Sequence, residues 1–139
     1  NPMPGAIELV CSVAEKFPVG LATGSRRSDV EAAFSTLAGG KLNGLFQSIV
    51  TSDDVAKTKP DPATYAKAAE GMGISPSDCL AIDDSPNGVS SAKNAGMKCV
   101  GFKNDQNPQN ISHSDLLVKC LSHFSFRALN EKCTQLSNF

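Results

Sequence analysis

Three clusters in this 139-residue chain carry side chains suited to chemistry on an anion. The most informative is Asp83-Asp84, two adjacent carboxylates that end an apolar run. Side by side they repel each other and lose solvation, and a nearby cation is the natural compensation. Hard oxygen ligands at one or two positions, with water and a phosphate completing the shell, describe Mg²⁺. The competing reading is an Asp-Asp-Ser-Pro turn whose carboxylates cap the next helix. Lys59 sits within Lys57-Thr58-Lys59-Pro60-Asp61-Pro62, where two prolines stiffen the backbone around it. A fixed ammonium there can neutralise a phosphoryl group and a carboxylate nucleophile together. A solvated loop lysine is the plain alternative, and Lys57 is less suited because nothing pins it. Thr23 with Gly24 offers a hydroxyl and exposed N–H groups at a helix start, which is a phosphate cradle or a simple turn capped by Ser25 or Ser28.

These residues need elements to place them, and the pattern supplies helices alternating with short strands. Residues 6 to 17 carry Ile7, Val10, Cys11 and Ala14 at helical spacing. Val19 to Ala22 reads as a buried strand, and Val30, Ala33, Phe34 and Leu37 as a helix stopped by Gly39-Gly40. Phe46 to Thr51 is a second strand. Asp61-Pro62 offers a cap and first turn for a helix with Tyr65, Ala68, Ala69 and Met72 on one face, closed by Gly73. Cys79 to Ile82 is a third strand, followed by a helix that Ser85-Pro86 opens, with Val89, Ala92 and Ala95 aligned. Cys99 to Phe102 is a fourth strand, residues 103 to 114 are turn-rich, Leu116 to Val118 is a short edge strand, and the last twenty residues are helical. The fold class expected is α/β: a three-layer, Rossmann-like parallel sheet with helices on both faces, forming one domain over residues 1–139. Such sheets bind ligands beyond the C-terminal ends of their strands, where Thr23, Lys59 and Asp83-Asp84 all fall.

Bulk properties narrow the function. Apolar residues make up 40% of the chain, enough for a single core, and a net charge of −1 argues against nucleic-acid or membrane-surface binding. No run approaches the length of a membrane span. The five scattered cysteines, without a CxxC, fit a reducing, cytoplasmic setting. Asp53-Asp54 reads as a solvated loop pair capping a turn. Arg26 and Arg27 suit either a substrate anion or an exposed helix start, and His113 and His123 have no partners at ligand spacing.

Taken in order, the motifs resemble a known family. Pro4-Gly5-Ala6, Gly20-Leu21-Ala22-Thr23-Gly24-Ser25, Lys59-Pro60-Asp61-Pro62, Asp83-Asp84-Ser85-Pro86-Asn87-Gly88-Val89 and Ala95-Gly96-Met97 together are similar to the haloacid dehalogenase superfamily, in its β-phosphoglucomutase and phosphosugar-phosphatase branch. The resemblance spans residues 4 to about 102. It implies that Thr23 and Lys59 are catalytic, that Thr23, Gly24 and Lys59 bind the phosphate, and that Asp83 and Asp84 bind Mg²⁺, with Asp84 the better direct ligand. A phospho-receiver domain uses similar residues in a different order, with its acidic pair first and its lysine last, and is rejected on that ground.

The chain also departs from the family. None of its nine aspartates has another two positions away, so the DxD motif that supplies the family's nucleophile and its acid/base is absent. In the family that motif ends a first strand lying between the strands expected at Val19–Ala22 and Cys79–Ile82. The resemblance therefore implies the C-terminal part of a Mg²⁺-dependent phosphomonoesterase, acting on a small phosphorylated metabolite such as a sugar phosphate and inactive alone. A separate N-terminal segment, a second copy of the chain, or a closed-up sheet would fill the strand position. The alternative function is a non-catalytic phosphate- or metal-binding module, or a structural remnant.

Overall fold

A computed structural model describes residues 5–42, 44–103 and 109–119. The expected C-terminal helix lies outside them. Gly5, in the left-handed region at φ 83°, starts α1 (Ala6–Ala14), three residues shorter than the apolar spacing suggests. Strand β1 (Gly20–Ala22) leads to α2 (Arg27–Thr36), and a 3₁₀ turn over Leu37–Gly40 ends that helix. Strand β2 (Ser48–Val50) is shorter than the expected run. Thr51 leaves it to cap a 3₁₀ turn, and Phe46 stacks on Phe34 with ring centroids 5.5 Å apart. Helix α3 (Ala63–Met72) begins one residue later than expected, because Asp61 Oδ1 accepts from the Ala63 N–H. Gly73, at φ 68°, closes it. Strand β3 (Leu80–Asp83), α4 (Pro86–Asn94), β4 (Lys98–Phe102) and β5 (Leu116–Val118) follow.

Every strand pair is parallel, as short apolar strands joined by helices require. Period-two alternation sends Ala81 and Cys99 to one face, where they pack with Tyr65, Ala69, Val89, Ala92 and Ile111. Leu80, Ile82, Val100 and Phe102 go to the other, against Leu9 and Val13 of α1. Helices therefore cover both faces, and the architecture is the three-layer α/β arrangement.

The strands form two groups, β1–β2 and β3–β4–β5. β1 and β3 are not hydrogen-bonded to each other, so the sheet has not closed up. Each has one paired side among the described residues, and all three β1 residues are only half-buried. Helix α3 holds the groups together. It packs on β1 and β2 through a close approach of Gly71 to Ser48, while Tyr65 and Ala69 join the core around β3.

Candidate functional site

The C-terminal ends of β1 and β3 meet through one side chain. Lys59 Nζ donates to the Ala22 carbonyl at 3.1 Å and to Asp83 Oδ2 at 2.9 Å. The same ammonium lies 4.7 Å from the centre of the Tyr65 ring, within cation–π range. The loop that carries it is fastened from α4: Ser91 Oγ donates to the Asp61 carbonyl at 2.6 Å and Asn94 Nδ2 to the Pro60 carbonyl at 3.3 Å. The Lys59–Pro60 peptide is cis. Lys57, two residues earlier, is exposed.

Asp83 is the last residue of β3, and alternation puts its side chain on the Ala81 face, toward α3 and α4. Its carboxylate is saturated. Oδ2 accepts from Lys59 and, at 2.6 Å, from the Tyr65 hydroxyl, while Oδ1 accepts from the Ser85 N–H and Oγ, both at 3.0 Å. A carboxylate has about four acceptor positions, so none is left over. Burial pushes the Asp83 carboxyl up, but the Lys59 charge and the bonds from Tyr65, Lys59 and Ser85 outweigh it and hold it below the usual range. Burial, reinforced by the Asp83 charge, raises the Tyr65 phenol well above its ordinary value. Gly88, in the first turn of α4, leaves the space the carboxylate occupies. A Cβ built there runs into all three carboxyl atoms of Asp83. Ser85 also performs the expected cap, accepting from the Gly88 N–H at 2.9 Å.

Thr23 follows Ala22 at the same edge. Its N–H continues the ladder to the Val50 carbonyl, and its Oγ1 accepts from the Ser25 N–H at 3.1 Å in a tight turn, leaving Gly24 and Ser25 exposed. This turn is braced by Asp53-Asp54, which is more than a solvated pair. Asp53 accepts from the Arg27 N–H, and Asp54 Oδ2 takes the Thr51 N–H, the Thr51 hydroxyl and the Arg27 guanidinium at 2.7–2.9 Å. These bonds, the Thr51 N–H foremost, bring the Asp54 carboxyl down to about 2. Arg27 is thus committed to the scaffold, and Arg26 remains exposed. His113 ties the loop at 109–115 to α4 through Ser90 and the Pro86 carbonyl, and His123 lies outside the described residues.

Asp84 differs from its neighbour. It is half-buried, and no described residue donates a hydrogen bond to it. Among the described residues no three His, Cys, Asp or Glu side chains are grouped so as to hold a metal by themselves. An undonated, half-buried carboxylate beside a saturated one fits a single protein ligand to Mg²⁺, an ion that keeps waters and takes substrate phosphate as further ligands. Tyr65 is the site residue that periodicity alone missed, since it read as one more apolar residue on the buried face of α3. A buried tyrosine hydroxyl needs a partner, and that requirement was the available signal.

Comparison with known proteins identifies the family. The family model for haloacid dehalogenase-like hydrolases matches residues 1–96. Validoxylamine A 7'-phosphate phosphatase of Streptomyces hygroscopicus subsp. limoneus is 34% identical over 119 residues, covering 85% of this chain and 54% of the relative. Beta-phosphoglucomutase of Bacillus subtilis (strain 168) is 34% identical over 134 residues, covering 96% and 56%. The crystal structure of CbbY from Rhodobacter sphaeroides in complex with phosphate superimposes with a TM-score of 0.83 at 25% identity, over 92% of this chain and 58% of that one. The chain thus spans about half the length of the curated relatives it matches. On the family match and these identities, the chain belongs to the haloacid dehalogenase-like hydrolases.

Proposed function

We propose that the chain is the phosphate-binding, C-terminal part of a Mg²⁺-dependent phosphomonoester hydrolase or mutase acting on a small phosphorylated metabolite such as a sugar phosphate. The observation that carries this reading is Lys59, whose ammonium joins the end of β1 to the end of β3 beside Thr23 and the acidic pair. A lysine has three N–H donors, and two are used here, which leaves one for a phosphoryl oxygen.

The nucleophile then comes from a strand outside these residues, seated between β1 and β3. Such a position spans two strand spacings, about 10 Å. A carboxylate ending that strand emerges between Thr23 and Asp83. It attacks phosphorus, the ester oxygen departs with the bonding pair and takes up a proton, and water then hydrolyses the acyl phosphate. Lys59, the Thr23 hydroxyl and the Gly24 N–H donate to phosphoryl oxygens as charge develops on them. Mg²⁺ held by Asp84 supplies further charge neutralisation. The substrate class is supported by the relatives, a 7'-phosphate phosphatase and a phosphoglucomutase, and by a phosphate-bound neighbour. Cys11, Cys79 and Cys99 are free thiols, in keeping with a cytoplasmic setting. No helix among the described residues is long and apolar enough to cross a membrane.

The test is hydrolysis of p-nitrophenyl phosphate. The 139-residue chain alone should show no Mg²⁺-dependent turnover. Supplied with a segment that carries the strand and its carboxylate, it should turn over, and Lys59→Met should abolish that activity. Turnover by the chain alone, or full activity in the Lys59 variant, overturns the reading.

A further inference from the structure

Helix α3 buries Thr64, Tyr65, Ala68 and Ala69, and Tyr65 is the only large side chain among them. A phenylalanine would fill the same space against Ala81, Val89 and Cys99. The hydroxyl adds one bond, at 2.6 Å to Asp83 Oδ2, the length of a charge-assisted O–H···O⁻ contact. That oxygen also accepts from Lys59, whose ammonium lies over the face of the same ring. Lys59 is thus confined on three sides: by the Tyr65 ring, by the Asp83 oxygen that Tyr65 orients, and by the Ala22 carbonyl. Without the hydroxyl, Oδ2 keeps Lys59 as its single donor, and the carboxylate, still anchored through Oδ1 by Ser85, can turn about that anchor and draw the ammonium off its position.

We propose that Tyr65 is a positioning residue of the phosphate site, its hydroxyl and ring together setting the Lys59 ammonium at the junction of β1 and β3. The proposal rests on the phosphotransfer reading above and adds to it the group that aims the lysine.

Tyr65→Phe tests it, because the ring and its packing remain. Two measurements separate this proposal from the functional reading. In the 139-residue chain with ¹³C-labelled lysine, the Lys59 ε-methylene protons should lie upfield of those of the other lysines, displaced by the Tyr65 ring current. Tyr65→Phe should reduce that displacement by about half or more, while Lys67, which is on the same helix but bonded to the Asp54 carbonyl, stays in place. An unchanged Lys59 signal overturns the proposal. In the active protein, complete with its nucleophile, Tyr65→Phe should lower kcat about 10- to 100-fold with KM within about threefold, as expected when a catalytic group is misplaced. An unchanged kcat overturns it as well. Absence of phosphatase activity in the unmutated protein sinks the functional reading instead, and the lysine spectrum still decides the placement.

Discussion

Gly88→Ala sets two effects of opposite sign against each other. By helix propensity alone, replacing a glycine inside α4 with alanine stabilises the helix by about 1 kcal/mol. Against that, the new methyl overlaps the Asp83 carboxyl, which cannot step aside freely because Lys59, Tyr65 and Ser85 hold it from four directions. Moving it far enough to clear a methyl breaks at least two of those bonds. Hydrogen bonds to a charged group are worth about 1.5–3 kcal/mol each, so the loss is about 3–6 kcal/mol and outweighs the propensity gain. Against a domain stability of about 5–15 kcal/mol, that lowers the melting temperature by roughly 10 °C or more. Thermal denaturation followed by circular dichroism is the assay, with Gly24→Ala as control, since nothing lies within 4 Å of a Cβ built at Gly24. A Gly88→Ala variant that melts at or above the unmutated chain would refute the saturated, immobile Asp83 described above.

Three further outcomes follow, two from the same network and one from the Asp54 brace. Asp83→Asn leaves Lys59 without its counter-charge, where the side chains are only 9% and 16% exposed, and should cost about 3–5 kcal/mol in denaturant titration. Asp84→Asn removes only like-charge repulsion and should leave stability equal or higher; equal losses in both variants would contradict the asymmetry of the pair. Tyr65 is the sole tyrosine and there is no tryptophan, so tyrosinate absorbance reports on it alone. Its pKa is raised on folding, so its contribution is complete below the ordinary phenol value near 10 and declines as pH rises above it. The absorbance should therefore appear only as the chain unfolds in alkali, and a gradual rise in the folded chain near pH 10 would contradict the burial. Asp54 is lowered to about 2, so its contribution is present above pH 4 and lost as pH falls from about 4 toward 2. Melting curves of the unmutated chain and Asp54→Asn should converge across that interval and differ above it.

The order and kind of the described helices and strands were legible because apolar spacing changes period at each boundary, and the sheet edge shared by Thr23, Lys59 and the acidic pair followed from which polar residues end or follow strands. Boundaries slipped where side chains intervened, as when Thr51 left β2 to cap a turn and Asp61 capped α3 from outside. The inequality of Asp83 and Asp84 entered only through the family resemblance, which made Asp84 the better direct ligand, although half of its physical cause was present in the sequence. Alternation along Leu80–Asp83 puts Asp83 on the face of Ala81 and Asp84 beyond the strand's end, so two adjacent identical residues must meet different surroundings. What periodicity lacks is the identity of the helices on each face. Only once α3 and α4 are placed on the Ala81 face do Tyr65, Lys59 and Gly88 converge on one carboxylate, and the pair divides into a member that anchors the lysine and a member to which no described residue donates.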